Sequence, residues 1–197
     1  MATALAPAPP SDDTVVPPPG RPWTATDLLA LDAHDHYQYE LVQGELRQMS
    51  PATPYHGRFE VRLLLAIGKY LEARPIGEVF PGDAGFELRA DPLTIRVPDV
   101  SFVAQARIPQ QAAGFWKLAP DLVIEIISPS ETARSIAEKV SDYLQAGTTL
   151  LWLVYPDQRT VQEYQQRGTF HIYRPADTLD GRDVLPGFAY PLAELFG

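Results

Sequence analysis

Residues 97–103 read VPDVSFV and residues 120–130 read PDLVIEIISPS, and these two runs decide the fold. Both runs are short, rich in Val, Ile and Phe, and bounded by Pro, which predicts buried β-strands. Asp99 stands at the start of the first strand and Glu125 in the middle of the second. A carboxylate removed from water is costly unless it is paired or bound to a metal. These two acids are therefore the first candidates for a functional site.

A strand–helix–strand unit follows from the second run. A helix is predicted over residues 130–146, with Gly147 as its C-terminal cap, and an apolar strand over residues 149–155. The two strands of such a unit lie parallel, with a right-handed crossover. The strands of Asp99 and Glu125 follow each other along the chain and can pair antiparallel. Together these pairings predict an α/β sandwich with a central mixed β-sheet flanked by helices.

Lys139 stands on the predicted helix at the border of its buried side. That side is defined by Ile136, Val140, Tyr143 and Leu144, and Lys139 is one turn from Ile136 and from Tyr143. Its stem can lie along the apolar face while the ammonium reaches the strand ends. Two acids on neighbouring strands and a lysine on the next helix can hold a divalent metal beside a phosphodiester.

Further elements are predicted on both sides of this unit. The apolar spacing and the turn residues predict a short helix, a hairpin, a long helix, two short strands, a strand interrupted at Pro98, a second hairpin and a closing segment that ends in a turn of helix. The short helix covers residues 26–31, the first hairpin 39–49 and the long helix 55–74. The two short strands cover 78–80 and 85–88, and the strand with Pro98 covers 94–104. The second hairpin covers 160–173 and the closing segment 184–197.

Length and composition indicate one globular domain. The chain has 197 residues, of which 45% are hydrophobic. Residues 1–22 are rich in Pro and Ala and are predicted to form a disordered tail, followed by a single domain at 23–197. The absence of cysteine excludes disulfides, thiolate zinc sites and a cysteine nucleophile, and it is compatible with a cytoplasmic location. No apolar run approaches the roughly 20 residues that span a bilayer, so no membrane partner is expected.

The net charge limits the ways in which the chain could bind nucleic acid. At −9 it argues against broad, non-specific binding, which needs a basic surface. It is compatible with a nuclease, because metal ions neutralise active-site carboxylates.

Each candidate residue also has a purely structural interpretation. Asp99 can cap a turn or accept backbone N–H donors. Glu125 can form a buried ion pair with an arginine. Lys139 can be solvated, as most helical lysines are. His34 and His36 lack a third ligand for a metal site. His56, at the predicted start of the long helix, is expected to cap or pack.

The sequence resembles the Uma-type restriction endonucleases of bacteria, within the PD-(D/E)XK nuclease superfamily. The resemblance runs from Leu28 to Leu195. The matching segments are residues 39–46, 50–51 with 56–57, 85–88, 98–103, 120–125, 128–130, 138–139, 143–147 and 185–188.

The resemblance implies a restriction-endonuclease-like fold and a set of site residues. Asp99 and Glu125 are the implied metal ligands. The usual lysine of the superfamily comes two residues after the second acid, where this chain has Ile127. Members of the family resemble variants whose lysine has moved to the following helix, which points to Lys139. Glu40, in the first hairpin, is a further acidic candidate, with an exposed or ion-paired strand residue as its structural alternative.

The implied activity is the metal-dependent hydrolysis of phosphodiester bonds in DNA. Mg²⁺ prefers oxygen ligands and keeps several waters, so two carboxylates and a phosphate suffice, and Mn²⁺ could replace it. The metal would acidify a water, while Lys139 would orient that water or offset developing charge. The resemblance implies a 5′-phosphate and a 3′-hydroxyl as products. A homodimer is expected, since cutting both strands usually takes two active sites.

A catalytically silent protein is the alternative to an enzyme. In that case the nuclease fold would serve as an interaction or assembly module. The acidic balance and the absence of a lysine at position 127 favour this alternative, and a glycosidase using Asp99 and Glu125 is less compatible with the sequence.

Overall fold

The computed structural model describes residues 20–32, 37–49, 52–110, 114–166 and 168–197. Several predictions concern positions outside these residues, namely the tail through residue 19 and the pair His34 and His36. In the described part of the chain, no helix combines the length and the apolar character needed to cross a bilayer.

The N-terminal part comprises α1 (Ala25–Asp32), β1 (Tyr39–Val42), β2 (Glu45–Gln48) and α2 (Pro54–Ala73). Gln43 and Gly44 have positive φ angles of 53° and 83°, which suit a two-residue turn between antiparallel strands. Thr53 is the N-cap of α2, and its side chain accepts a hydrogen bond from the backbone N–H of His56. The predicted hairpin and long helix are confirmed.

The described residues after α2 form two helices and ten strands, with a 3₁₀ turn at Gln105–Arg107. They are β3 (Gly77–Pro81), β4 (Phe86–Ala90), β5 (Leu93–Arg96), β6 (Val100–Ala104), β7 (Leu122–Ile126), α3 (Ala133–Ala146), β8 (Leu150–Tyr155), β9 (Thr160–Gln165), β10 (Phe170–Tyr173), β11 (Thr178–Asp180), β12 (Ala189–Pro191) and α4 (Leu192–Phe196).

A six-stranded mixed sheet forms the centre, in the order β10-β9-β8-β7-β6-β3. β7 and β8 are parallel, and β6 pairs antiparallel with β7. The predicted strand–helix–strand unit, the antiparallel pairing and the α/β fold class with a central mixed sheet are therefore confirmed.

Neighbouring residues of each central strand face opposite sides of this sheet. Ile124 and Trp152 pack on the side of α2, in the largest core cluster, which also includes Phe59 and Leu63. On the other side, Leu153 packs with Tyr143 of α3. Glu125 pairs in register with Leu153, and its side chain therefore faces α3.

A second sheet, which the sequence did not predict, has the order β2-β1-β5-β4. The strand expected over 94–104, interrupted or entered at Pro98, is indeed broken there, but its two parts lie in different sheets: β5 belongs to this sheet and β6 to the central one. Pro98 lies at the crossing, where its missing N–H removes one ladder hydrogen bond. β3 and β4 likewise belong to different sheets. The chain thus crosses between the sheets immediately before Asp99.

Candidate active site

The pairing of β6 with β7 brings the two predicted acids together. Val100 is paired with Ile124, so the preceding Asp99 and the following Glu125 are neighbours across the end of this strand pair. The negative charge of Asp99 contributes to raising the pKa of Glu125, after the larger effect of burial. The two acids therefore belong to one electrostatic site.

Glu125 is held by two side chains of α3. Its side chain is only 2% exposed. Lys139 Nζ donates to Oε2 at 2.8 Å, and the Tyr143 hydroxyl donates to Oε1 at 2.7 Å. The two donors are four residues apart, on the same face of the helix. The buried ion pair expected as the structural alternative for Glu125 thus exists, with Lys139 in place of an arginine.

Burial governs the protonation of this group. It raises the pKa of the Glu125 carboxyl, an effect that Lys139 opposes and the nearby Asp99 and Glu40 reinforce. Burial alone would lower the pKa of the Lys139 ammonium, but the surrounding carboxylates, Glu125 foremost, raise it above its usual value. Burial and the same carboxylates also raise the pKa of Tyr143, so its hydroxyl stays a neutral donor.

Asp99 is oriented by groups from two other elements. Its Oδ2 accepts a hydrogen bond from the backbone N–H of Ile126 at 2.6 Å, and its Oδ1 lies 3.0 Å from Nε2 of His56. The hydrogen bond with Asp99 is the main cause that raises the pKa of His56. Asp99 therefore accepts a backbone donor, as its structural interpretation proposed, and has the imidazole of His56 as a second partner.

His56 is a site residue that sequence reasoning missed. It was expected to cap or pack, but Thr53 supplies the cap of α2 and the ring of His56 points to Asp99. The two residues are 43 positions apart, and no local spacing connects them.

Glu40 lies in a buried network beside these residues. Its side chain accepts from Arg96 Nη1 at 2.7 Å and from the backbone N–H of Val97 at 2.9 Å. Arg96 also donates to Asp142 of α3 at 2.7 Å. Glu40 is therefore an ion-paired strand residue, as its structural interpretation proposed. Arg96 and Asp142 were not singled out in the sequence, because a polar residue within an apolar pattern does not reveal its partner.

A cavity of about 480 Å³, here called the acidic cavity, connects these side chains. Glu40, His56, Asp99 and Lys139 line it, and Glu125 lies behind Lys139. When Glu125 is counted with the lining residues, the acidic cavity has two more carboxylates than lysine and arginine side chains. The charged groups are Glu40, Asp99, Glu125, Glu131 and Asp157 against Arg47, Arg96 and Lys139. This imbalance favours a divalent cation.

The donors of this cavity fit a hard metal ion held by few protein ligands. Within the described residues, no group of three or more Asp, Glu or His side chains is arranged to hold a metal. Asp99 and Glu125 nevertheless offer carboxylate oxygens from adjacent strand ends, and Mg²⁺ commonly binds to one or two carboxylates with waters and a phosphate. To bind such an ion, Glu125 would have to release Lys139.

Comparisons with known proteins agree with this architecture. A solved structure titled as a putative nuclease belonging to DUF820, from Anabaena variabilis, matches with a TM-score of 0.73 and 24% sequence identity. The match covers 89% of this chain and 98% of the other. No curated protein matches the chain. The model of the Uma2 family, described as putative restriction endonuclease, matches residues 25–193, and the chain therefore belongs to the Uma2 family.

Proposed function

We propose that this protein is a divalent-metal-dependent endonuclease that hydrolyses phosphodiester bonds in DNA. The observation that carries the proposal is that Asp99 and Lys139 line one cavity and that Glu125, on the strand next to Asp99, is bound to Lys139 directly behind it. Membership in a family of restriction endonucleases supports the reaction class.

Asp99 and Glu125 are the proposed ligands of Mg²⁺ or Mn²⁺. When bound, the ion supplies Lewis acidity to the scissile phosphate and lowers the pKa of a water. Ile126 N–H and His56 hold the Asp99 carboxylate, and Tyr143 holds one oxygen of Glu125. Both carboxylates are therefore oriented before a substrate arrives, which reduces the cost of reorganisation.

Lys139 is the proposed electrostatic catalyst. Its pKa stays high despite burial because carboxylates surround it, so it carries a positive charge at neutral pH. Once separated from Glu125, the ammonium would orient the attacking water or offset charge on the phosphate oxygens. The Oε1 of Glu131 lies 3.5 Å from Lys139 Nζ, so Glu131 can remain paired with the ammonium when Lys139 separates from Glu125.

Glu40 and the start of α3 complete the proposed site. Glu40 accepts from the N–H of Val97, two residues before Asp99, and thus fixes the segment that presents this ligand. Ser135, in the first turn of α3, lines the cavity. A helix N-terminus attracts anions, which suits a phosphate bound there.

A plasmid-nicking assay with Mg²⁺ or Mn²⁺ tests the proposal. The Glu125→Gln variant should lose at least about a hundredfold in rate, the size of effect expected when a preorganised electrostatic group is removed. Glu163→Gln is the matched control, because Glu163 is a buried acid on the same sheet that lines neither described cavity. Equal nicking by the native chain and a folded Glu125→Gln variant would reject the assignment.

A catalytically silent assembly module is the second candidate function. It is favoured by the internal pairing of Glu125, whose two oxygens accept hydrogen bonds from Lys139 and Tyr143. Calorimetric titration with Mn²⁺ separates the two candidates, since a silent module binds no Mn²⁺ at the acidic cavity. The homodimer remains a prediction, which sedimentation can test.

A further inference from the structure

A second cavity, of about 550 Å³, adjoins the acidic cavity. We call it the side cavity. It lies between α3 and the strands β8 and β9. The two cavities share a wall made by Ile127, Ser128, Pro129, Glu131, Pro156 and Asp157. The side cavity is therefore next to the place where a substrate of the proposed nuclease would react.

The lining of the side cavity is aromatic and apolar. Ile136 and Val140 of α3 form one side, and the rings of Tyr155 and Tyr164 come from the sheet. The Tyr164 ring centroid is 5.0 Å from that of Phe170, which is 49% exposed. Burial raises the pKa of both tyrosines, so they are neutral. Flat, uncharged rings of this kind accept a planar heteroaromatic group.

The charged groups that line the side cavity are carboxylates, and both lie on the shared wall. Glu131 and Asp157 contribute carboxylates there. Among the described residues, Oε2 of Glu131 is a buried oxygen without a hydrogen-bond partner. On the side away from the proposed metal ion, these carboxylates repel a phosphate but accept N–H donors. The cavity is therefore suited to a base and unsuited to the nucleic-acid backbone.

We propose that the side cavity receives the nucleobase next to the scissile phosphate, and that the substrate is DNA with an unpaired nucleotide at the cleavage position. The proposal rests on the proposed nuclease function and specifies its substrate. A base inside a duplex is stacked and paired, so it reaches such a cavity only from a single strand or after extrusion. Stacking on aromatic side chains gives affinity without the broad basic surface that a chain of net charge −9 lacks.

The acceptors on the shared wall also imply a base preference. Cytosine and adenine carry exocyclic amino groups that donate hydrogen bonds, whereas thymine presents carbonyl oxygens on the corresponding edge. Cytosine and adenine should therefore bind better than thymine, and Glu131 should contribute to the difference.

Homopolymers test this proposal, because every position of the strand then presents the same base. Binding is measured by fluorescence anisotropy in Ca²⁺ and cleavage in Mg²⁺, with single-stranded oligo-dC, oligo-dT, an oligomer of abasic residues and a dC·dG duplex. We expect oligo-dC to bind best and the abasic strand and the duplex to bind least. Tyr164→Ala should weaken binding of oligo-dC about tenfold, as expected for the loss of one stacked base, without changing that of the abasic strand.

Three further variants serve as controls. Tyr164→Phe keeps the ring and should bind like the native chain. Ala137→Trp fills the side cavity from an exposed position on α3, so it tests the site even if Tyr164→Ala fails to fold. Glu131→Gln should reduce the preference for oligo-dC over oligo-dT.

The outcomes separate the two proposals. Cleavage of duplex and single strands at equal rates, with no effect of Ala137→Trp, would overturn the side cavity as a base site and leave the nuclease in place. Base-dependent binding without cleavage by the native chain would support the base site and reject the nuclease. Neither binding nor cleavage of any of these strands would reject both.

Discussion

Glu125 and Glu163 are buried acids on opposite faces of the same sheet, and their surroundings differ. The Glu163 side chain is 0% exposed and accepts hydrogen bonds from four side chains: Trp152, Gln165, Tyr173 and Arg182. Glu125 has two donors, both on α3, and lies near Asp99 and Glu40. Burial of an acid is therefore a weak sign of function by itself. Like-charged neighbours at an open cavity are the stronger sign.

The largest expected effect on the free energy of unfolding comes from removing the cationic partner of Glu125, and the same change at Glu163 should cost less. Lys139→Met leaves Glu125 buried with a single donor and should lower the free energy of unfolding by about 3 kcal/mol. Arg182→Met should cost about 1 kcal/mol, because Glu163 keeps three neutral donors and Arg182 is 39% exposed on its side chain. Urea unfolding of both variants measures the difference.

The pH dependence of Lys139→Met provides the control. The folded pKa of Glu125 is above its unfolded value, so its charge destabilises the fold above the unfolded pKa, and this cost disappears as the pH falls. Without Lys139 the pKa rises further, and the variant should regain stability relative to the native chain in acid. The double variant Glu125→Gln/Lys139→Met should be close to native at neutral pH. If Lys139→Met lowered the free energy of unfolding equally at every pH, the buried ion pair between Glu125 and Lys139 would be contradicted.

A divalent cation should have a somewhat smaller effect on stability than the loss of Lys139, and it should act only at the site of Asp99 and Glu125. Mn²⁺ at a hundred times its dissociation constant stabilises a folded protein by about 2.7 kcal/mol if only the folded state binds it. We expect this gain in the native chain and in Glu163→Gln, and its loss in Asp99→Asn, measured by thermal unfolding with and without Mn²⁺. A Mn²⁺ effect that survives in Asp99→Asn would place the ion elsewhere.

The smallest expected effects come from the two tyrosines that donate to these acids. Burial, together with Glu163, raises the pKa of Tyr173 to about 12, so both tyrosines are neutral donors at pH 7. Tyr143→Phe removes one of two donors to Glu125 and should cost about 1–2 kcal/mol, while Tyr173→Phe removes one of four to Glu163 and should cost less than about 1 kcal/mol. Chemical denaturation compares the variants, and a larger loss in Tyr173→Phe would reverse the assignment.

The local part of the fold could be predicted from the sequence. Apolar runs and cap residues were enough for the unit from β7 to β8, for the pairing of β6 with β7, and hence for the proximity of Asp99 and Glu125. The resemblance predicted the family, which the match over residues 25–193 confirms.

The contacts that complete the site could not be predicted in this way. His56 and Asp99 are 43 residues apart, Glu40 and Arg96 are 56 apart, and Arg96 and Asp142 are 46 apart. These contacts join α2 to the start of β6, β1 to β5, and β5 to α3, and no local pattern contains that information. The crossing at Pro98 is of the same kind, because proline ends a ladder without specifying which sheet the next strand joins.

Ile127 stands two residues after Glu125 and belongs to the wall shared by the two cavities. A lysine there would put a second ammonium beside Asp99 and Glu125 and interrupt the hydrocarbon surface that faces Tyr155 and Tyr164. Because Lys139 of α3 supplies the ammonium beside Glu125, the residue that follows β7 can be apolar. If Lys139 has the catalytic role proposed for it, its position on α3 leaves the hydrocarbon of Ile127 able to contact the part of a substrate next to the reacting bond.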